Sequence, residues 1–387
     1  MSAFADYDAR QIAALDAQAA AILSGFAARG YERADAAILQ PAEIFLDRSG
    51  EEIRRRTFTF TDPSGRELCL RPDLTIPVCR MHLTREGGFP ARLCYHGPVF
   101  RHQPAEPDRP TQFFQAGAEL LGLEDRTGAE MEILSLAIDA AKTGGLAAFR
   151  LKIGDLGLFS AVIDALDVPP QWQSRLKRHF WRAGYFERLL VQFSTGTTTQ
   201  TQRLLAHLGT LDARESRGAF EGLMDMIGEA PLGGRTRDEI VDRLIEQAAD
   251  AAALRLDPRV AALIGQLLAV SGPAHAAVEE IRALTATAGV ALEPWSAAMT
   301  ARLDTLARLG VPPSGINFAA RFGRNMEYYT GFVFELWARD REGDVQIAGG
   351  GRYDSLLEHL GAPRPVPAIG FTLRTERLLA AREFERA

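Results

Sequence analysis

The chain has 387 residues, 47% of them apolar and 24% charged, with a formal net charge of −6. That is long enough for a sizeable core and too long for one average domain; the composition excludes a disordered chain, and the acidic balance argues against a wide nucleic-acid footprint. No run approaches the roughly eighteen uncharged apolar residues of a membrane helix, and MSAFADYDAR lacks the basic and apolar parts of a secretory leader, so a cytoplasmic location is expected. Cys69, Cys79 and Cys94 have no paired spacing and read as buried thiols in a reducing compartment, with no structural zinc, other metal or cofactor expected.

Residues 7 to 29 place Ile12, Leu15, Ala19, Ile22, Leu23 and Phe26 on one helical stripe, with Gly30 as its C-cap. Tyr31–Leu46 reads as extended and is interrupted by Pro41. Thr57–Thr61 alternates as a strand, Asp62-Pro63-Ser64-Gly65 is a turn and Glu67–Leu70 returns, a hairpin that delivers Arg71-Pro72-Asp73-Leu74-Thr75 to its end. Two strands, Arg92–Phe100 and Ala116–Leu121, flank a long proline-rich loop, and LKIGDLGLFSAVIDAL from Leu151 is a strand followed by a helix. Residues 168 to 310 turn alanine- and leucine-rich with helix-length stripes, one of them opened by a capping box at Thr236 and Glu239.

The richest stretch is 321 to 361. Tyr329–Trp337 and Val345–Ala348 alternate around a charged turn at Gly343 and predict an antiparallel hairpin. Arg324, Glu327, Tyr328 and Tyr329 stand at its start; Gly349-Gly350-Gly351, followed by Arg352-Tyr353-Asp354, stand at its end. Three glycines let a backbone or a ligand approach without a Cβ in the way. Pro367–Leu373 then reads as a strand and Arg374–Phe384 as a helix.

These segments resemble the signatures of the histidyl-tRNA synthetase family. Its R-G-L-D-Y-Y stands here as Arg324-Asn325-Met326-Glu327-Tyr328-Tyr329, and its G-G-R-Y-D as Gly350-Gly351-Arg352-Tyr353-Asp354. The FRHQPAEPDRPTQFFQ loop resembles the second class II motif, and Gly370 with Arg377 the third. Ala37 stands where the first motif, which makes the family's dimer interface, has a proline. The resemblance implies an α+β fold: a class II aminoacyl-tRNA synthetase-like antiparallel sheet flanked by helices. On this reading 1–167 and 311–387 form the core, 168–310 is a mainly helical insertion, and no anticodon-binding domain follows.

Binding free histidine requires acceptors for its ammonium, donors for its carboxylate, and one donor and one acceptor for its ring. The resemblance assigns Asp73, Thr75 and Gln115 to the amino group, Arg101 and Arg324 to the carboxylate, and Glu119, Tyr329 and Tyr353 to the imidazole, with Tyr328 beside them. Taken singly, each has a plainer reading as a strand-end cation, a solvent-facing polar residue or a core tyrosine. Their joint order favours the site.

Adenylation is where the sequence departs from the synthetase. The glutamate after Arg-His is Gln103, the loop's Arg-Tyr-Arg is Arg109-Pro110-Thr111, and the second small glycine of the third motif is Arg374. The chain therefore most resembles the synthetase's paralogues, the regulatory subunits of ATP phosphoribosyltransferase. The resemblance implies no catalytic residues, activation of a short-form catalytic subunit in a hetero-oligomer, L-histidine as feedback effector, self-association as a dimer, and neither tRNA nor membrane as partner. A truncated enzyme that still adenylates histidine, or a free-standing histidine-binding protein, are the alternatives. Histidine-dependent pyrophosphate exchange and co-purification separate them.

Overall fold

Asp8 opens α1 (Ala9–Ala28): its carboxylate accepts from the Gln11 amide at 2.8 Å, and the Gln11 side chain accepts from the Asp8 amide at 2.9 Å, satisfying donors the first turn leaves unpaired. Gly30, at φ 81°, ends it. By length and composition α1 is the one helix among the described residues able to cross a bilayer. Its stripe of Leu15, Ala19, Ile22 and Phe26 is instead buried, with Phe26 edge-on to Phe371 at 5.8 Å. The computed structural model describes residues 6–46, 50–103, 110–166, 168, 170–179, 186, 187, 190, 207–227, 237–252, 256–322 and 328–387.

Strands β1 (Glu32–Arg33) and β2 (Leu39–Pro41) follow, but the extended run expected to reach Leu46 turns helical at α2 (Glu43–Leu46). Pro41 closes β2 because it has no amide to continue a ladder. After α3 (Gly50–Arg56), β3 (Thr59–Thr61) and β4 (Glu67–Leu70) form the expected hairpin. Its turn is held by Asp62, whose Oδ1 accepts from the amides of Ser64 and Arg66 at 2.8 and 2.9 Å.

The first segment of the larger unit continues with α4 (Thr75–Thr84), β5 (Ala91–Phe100), β6 (Gln112–Leu121), α5 (Arg126–Thr143), β7 (Arg150–Asp155) and α6 (Leu156–Ala165). The contacts divide the chain into Met1–Asp167 with Gln266–Ala387, and Val168–Gly265. The smaller unit contains α7 (Pro170–His179), α8 (Ala213–Ile227) and α9 (Arg237–Ala252), with Phe220, Val241 and Ala248 buried together. Thr236 of the expected capping box lies outside the described residues.

After α10 (Pro258–Ala269) come β8 (Ser271–Pro273), α11 (Ala274–Thr287), α12 (Glu293–Arg308) and β9 (Ile316–Ala319). The second unit thus ends at Gly265, not at 310. The reason is that β8 pairs with β9, β9 pairs in parallel with β7, and α12 is bound to the core by charge. Last come β10 (Phe332–Asp340), β11 (Gly343–Arg352), α13 (Leu356–His359), β12 (Ala368–Arg374) and α14 (Thr375–Arg386). The three glycines lie inside β11 instead of following it, and Arg374 ends a strand instead of starting a helix.

Among the described residues the large sheet has nine strands in the order β1-β5-β6-β12-β11-β10-β7-β9-β8; β2, β4 and β3 form a separate sheet. Every pairing in the large sheet is antiparallel except β1 with β5 and β7 with β9.

A buried charge network fixes the middle of this sheet to its helices. Glu130 on α5 accepts from Arg352 Nε and from Arg302 Nε, each at 2.7 Å, and Arg302 also reaches Asp155 Oδ2 at 3.1 Å. Asp155 caps α6 through the Gly157 amide at 2.9 Å. Arg352 continues to Asp354 at 3.0 Å and to the Arg126 carbonyl at 2.8 Å. Breaking such a network leaves an uncompensated buried charge. Arg302→Leu should therefore lower the unfolding free energy by about 3–5 kcal/mol; a loss within the range of an exposed pair, below about 1 kcal/mol in urea titration, would contradict it.

Candidate functional site

Side chains alternate across a strand, so Gln115, Gly117 and Glu119 of β6 share one face. Gly97, Tyr95 and Leu93 of β5 stand opposite them on one side, and Arg374, Thr372 and Gly370 of β12 on the other. Gly351 of β11 pairs in turn with Gly370. The result is a floor of glycines from which a few polar side chains rise. An added Cβ at Gly370 would lie 1.5 Å from Glu119 Oε2; at Gly117 it would lie 2.7 Å from the Tyr95 ring, and at Gly351 2.9 Å from Tyr329 Cδ1. Gly350 faces the other way, where a Cβ would strike the Gly370 carbonyl at 2.4 Å.

Glu119 is fully buried. Tyr95 donates to its Oε1 at 2.7 Å and Tyr353 donates to its Oε2. Burial pushes its carboxyl up to about 7, although the two tyrosines and Thr75 pull it down. The same burial and the nearby carboxylate raise both tyrosine hydroxyls well above their ordinary value. Thr75 Oγ1 lies 3.4 Å from the Tyr95 hydroxyl, and the Cys79 thiol 4.0 Å from that of Tyr353. Tyr328 meets Tyr353 edge-on at 5.7 Å and lies tilted against Tyr329 at 4.9 Å.

Asp73 lies at the start of α4. Its Oδ1 accepts from the Ile76 amide at 3.2 Å, and burial raises its carboxyl while the charge of Arg101 opposes the rise. Among the described residues, Asp73 Oδ2 and Gln115 Oε1 are buried acceptors with no donor. Such atoms are costly to bury unless something donates to them. Arg101 Nε donates to the Pro72 carbonyl at 2.6 Å.

The structure thus brings Thr75, Glu119, Tyr328, Tyr329 and Tyr353 into one cluster. It sets Asp73 and Arg101 on the neighbouring loop and places Gln115 two alternations from Glu119 along β6, with Gly117 between them. Arg324 lies outside the described residues. Sequence reasoning missed Tyr95, whose only signal was its alternation with Gly97 in a strand already foreseen. It also missed that Cys79 sits against the site.

Three comparisons bear on this arrangement. A family model described as histidyl-tRNA synthetase matches residues 3–218 and 218–378. ATP phosphoribosyltransferase regulatory subunits of Chelativorans sp. (strain BNC1) and Mesorhizobium japonicum are each 37% identical over 94% of this chain and 97% of their own. Among solved structures, an ATP phosphoribosyltransferase regulatory subunit/histidyl-tRNA synthetase from Bacillus halodurans superposes with a TM-score of 0.67 at 24% identity, covering 98% of this chain and 82% of that one. A histidine–tRNA ligase subunit from Alicyclobacillus acidocaldarius gives 0.59 at 23% identity, covering 100% and 97%. The fold is the α+β, class II aminoacyl-tRNA synthetase type.

Two outcomes test the geometry. In the folded chain Glu119 keeps its proton at a pH where an exposed glutamate has lost it. Its contribution to stability is therefore complete below the ordinary value of 4.5 and is lost as the pH rises through about 7. Glu119→Gln should gain on the natural chain by on the order of 3 kcal/mol between about pH 4 and pH 8. A difference in unfolding free energy that stays constant across that window would show the carboxyl to be unshifted. Gly370→Ala should cost about 1–3 kcal/mol, the range for overpacking, and a neutral result in the same assay would mean that the strands separate freely.

Proposed function

Because the chain belongs to the ATP phosphoribosyltransferase regulatory subunits, within the wider histidyl-tRNA synthetase family, we propose that it binds free L-histidine on the glycine floor and reports that occupancy to a short-form catalytic subunit. Its role is regulatory, in histidine biosynthesis, and the regulatory name of its relatives implies a catalytic partner. The observation that carries the histidine reading is the pair of donorless acceptors, Asp73 Oδ2 on the loop before α4 and Gln115 Oε1 on the strand face of Glu119, whose buried carboxyl has a pKa near neutral. An ammonium supplies donors to the first two, and an imidazole, whose own pKa is close to 6.5, can share a proton with the third.

In this reading Asp73, Thr75 and Gln115 hold the amino group, Glu119, Tyr329 and Tyr353 meet the ring, Tyr328 packs beside them, and Arg101 and Arg324 face the carboxylate. The subunit performs no chemistry. Support comes from Arg374, whose guanidinium carbon lies 4.0 Å from the Phe113 centroid, where it takes space on the face a nucleotide would need. The subunit raises the partner's activity, histidine reverses that gain, and the complex is cytoplasmic, with this subunit self-associating as a dimer.

An effector shifts such a complex only by its differential affinity for two states, typically about 1–3 kcal/mol. Calorimetry should detect histidine with a Kd in the micromolar to millimolar range, about −8 to −4 kcal/mol, and no heat with saturating histidine would remove the reading. In the reconstituted complex, Tyr329→Phe should preserve activation while raising the histidine concentration needed for inhibition. Unchanged inhibition would place the effector site on the partner. Brisk histidine-dependent exchange of pyrophosphate into ATP would show adenylation and end the non-catalytic assignment.

A further inference from the structure

Phe113 precedes Gln115 by two residues on β6 and so shares its face. Two guanidinium groups lie on its ring: the Cζ of Arg374 is 4.0 Å and that of Arg101 5.4 Å from the centroid. The first is carried by the β12 residue directly opposite Gln115. The second is tethered through its Nε to the carbonyl of Pro72, the residue before Asp73. Each cation is therefore tied to the neighbourhood of one of these two donorless acceptors, Arg374 across the ladder from Gln115 and Arg101 bonded to the residue before Asp73.

In a free amino acid the ammonium and the carboxylate hang on one carbon, so a site for the first needs a site for the second within two bonds. Resting on the histidine reading above, we infer that Arg374, acting with Arg101, recognises the carboxylate of the bound amino acid and makes the pocket specific for a free acid over derivatives that lack it. Stacking occupies the face of a guanidinium, while its N–H donors lie in the plane and point outward along its edges in a fork that matches two carboxylate oxygens. An arginine held this way has already lost much of its rotamer freedom, so less is lost on binding. The position therefore does more than obstruct a nucleotide: it supplies the charge that distinguishes an acid from its neutral analogues.

The test is calorimetry of the full chain with L-histidine and with L-histidinol, which keeps the ring and the ammonium and carries an alcohol in place of the carboxylate. The natural chain should prefer histidine by roughly 10- to 100-fold, the range for a hydrogen bond to a charged group. Arg374→Gln should keep its affinity for histidinol while the preference falls at least about threefold, Arg101 and Arg324 still facing the carboxylate. An undiminished preference in Arg374→Gln overturns the assignment, as does equal binding of the two ligands by the natural chain, and in both cases histidine binding itself still stands. Failure of the natural chain to bind either ligand removes the histidine reading and this inference with it. Should Arg374→Gln fail to fold, Phe113→Leu removes the platform instead. A clear drop in preference with histidinol affinity retained supports the assignment, and an undiminished preference overturns it.

Discussion

Glu119 occupies the middle of a sheet with none of its surface open to water, and it does so only because the residue opposite it has no side chain. Gly370 and Glu119 are cross-strand partners whose Cβ positions point to one face, and a single methyl there would coincide with the carboxylate oxygen. This fixes the β6–β12 register, since a slip by one residue would exchange the polar face for the one carrying Ala118 and Phe371. From that register follows the placement of Arg374 opposite Gln115, and the neighbouring β11–β12 register sets Gly351 opposite Gly370. The tyrosines then have one carboxylate to donate to, and the oxygen of each finds a partner without water.

The charge network around Glu130 serves the same end from behind the sheet. Arg352 immediately precedes Tyr353, so the bond to Glu130 holds the end of β11 while the next side chain reaches Glu119. Ion pairs this deep contribute little net stability compared with well-packed apolar groups. What they supply is direction: α5, α12 and the end of β7 meet β11 in one arrangement. The described residues carry a buried polar cluster around Glu130 whose charges are paired and, beside it, one around Glu119 with acceptors left over.

Much of this was legible in the sequence where local pattern and motif coincide. The hairpin of β10 and β11 could be read from its alternation, while Gln115 and Glu119 were singled out only by the resemblance to the family's second motif. Three things were not. Tyr95 looked like any aromatic in an apolar run, because its hydroxyl acquires meaning only from a residue on the adjacent strand. Arg302 and Glu130 carry no signal for one another, since their pairing depends on how α12 returns to the sheet. The boundary at Gly265 was missed because composition stays helical to 310 while the contacts do not. Helices of both units share the same alanine-rich stripes, and only the short strands β8 and β9 reveal which unit owns the later ones.

The parallel pairing of β7 with β9 joins Leu151 to Ile316 across the whole excursion that contains the smaller unit. The ladders β5–β6 and β10–β11 close over short stretches of chain, whereas this edge closes a very long loop. Closing entropy grows only slowly with length, so such an edge is affordable at equilibrium, but contacts distant in sequence delay folding. The ladder of β12 on β6, which pairs Gly370 with Glu119, closes a longer loop still. By the same argument the two hairpins form most readily, and both the glycine floor and the edge that follows the inserted unit wait on contacts between distant parts of the chain.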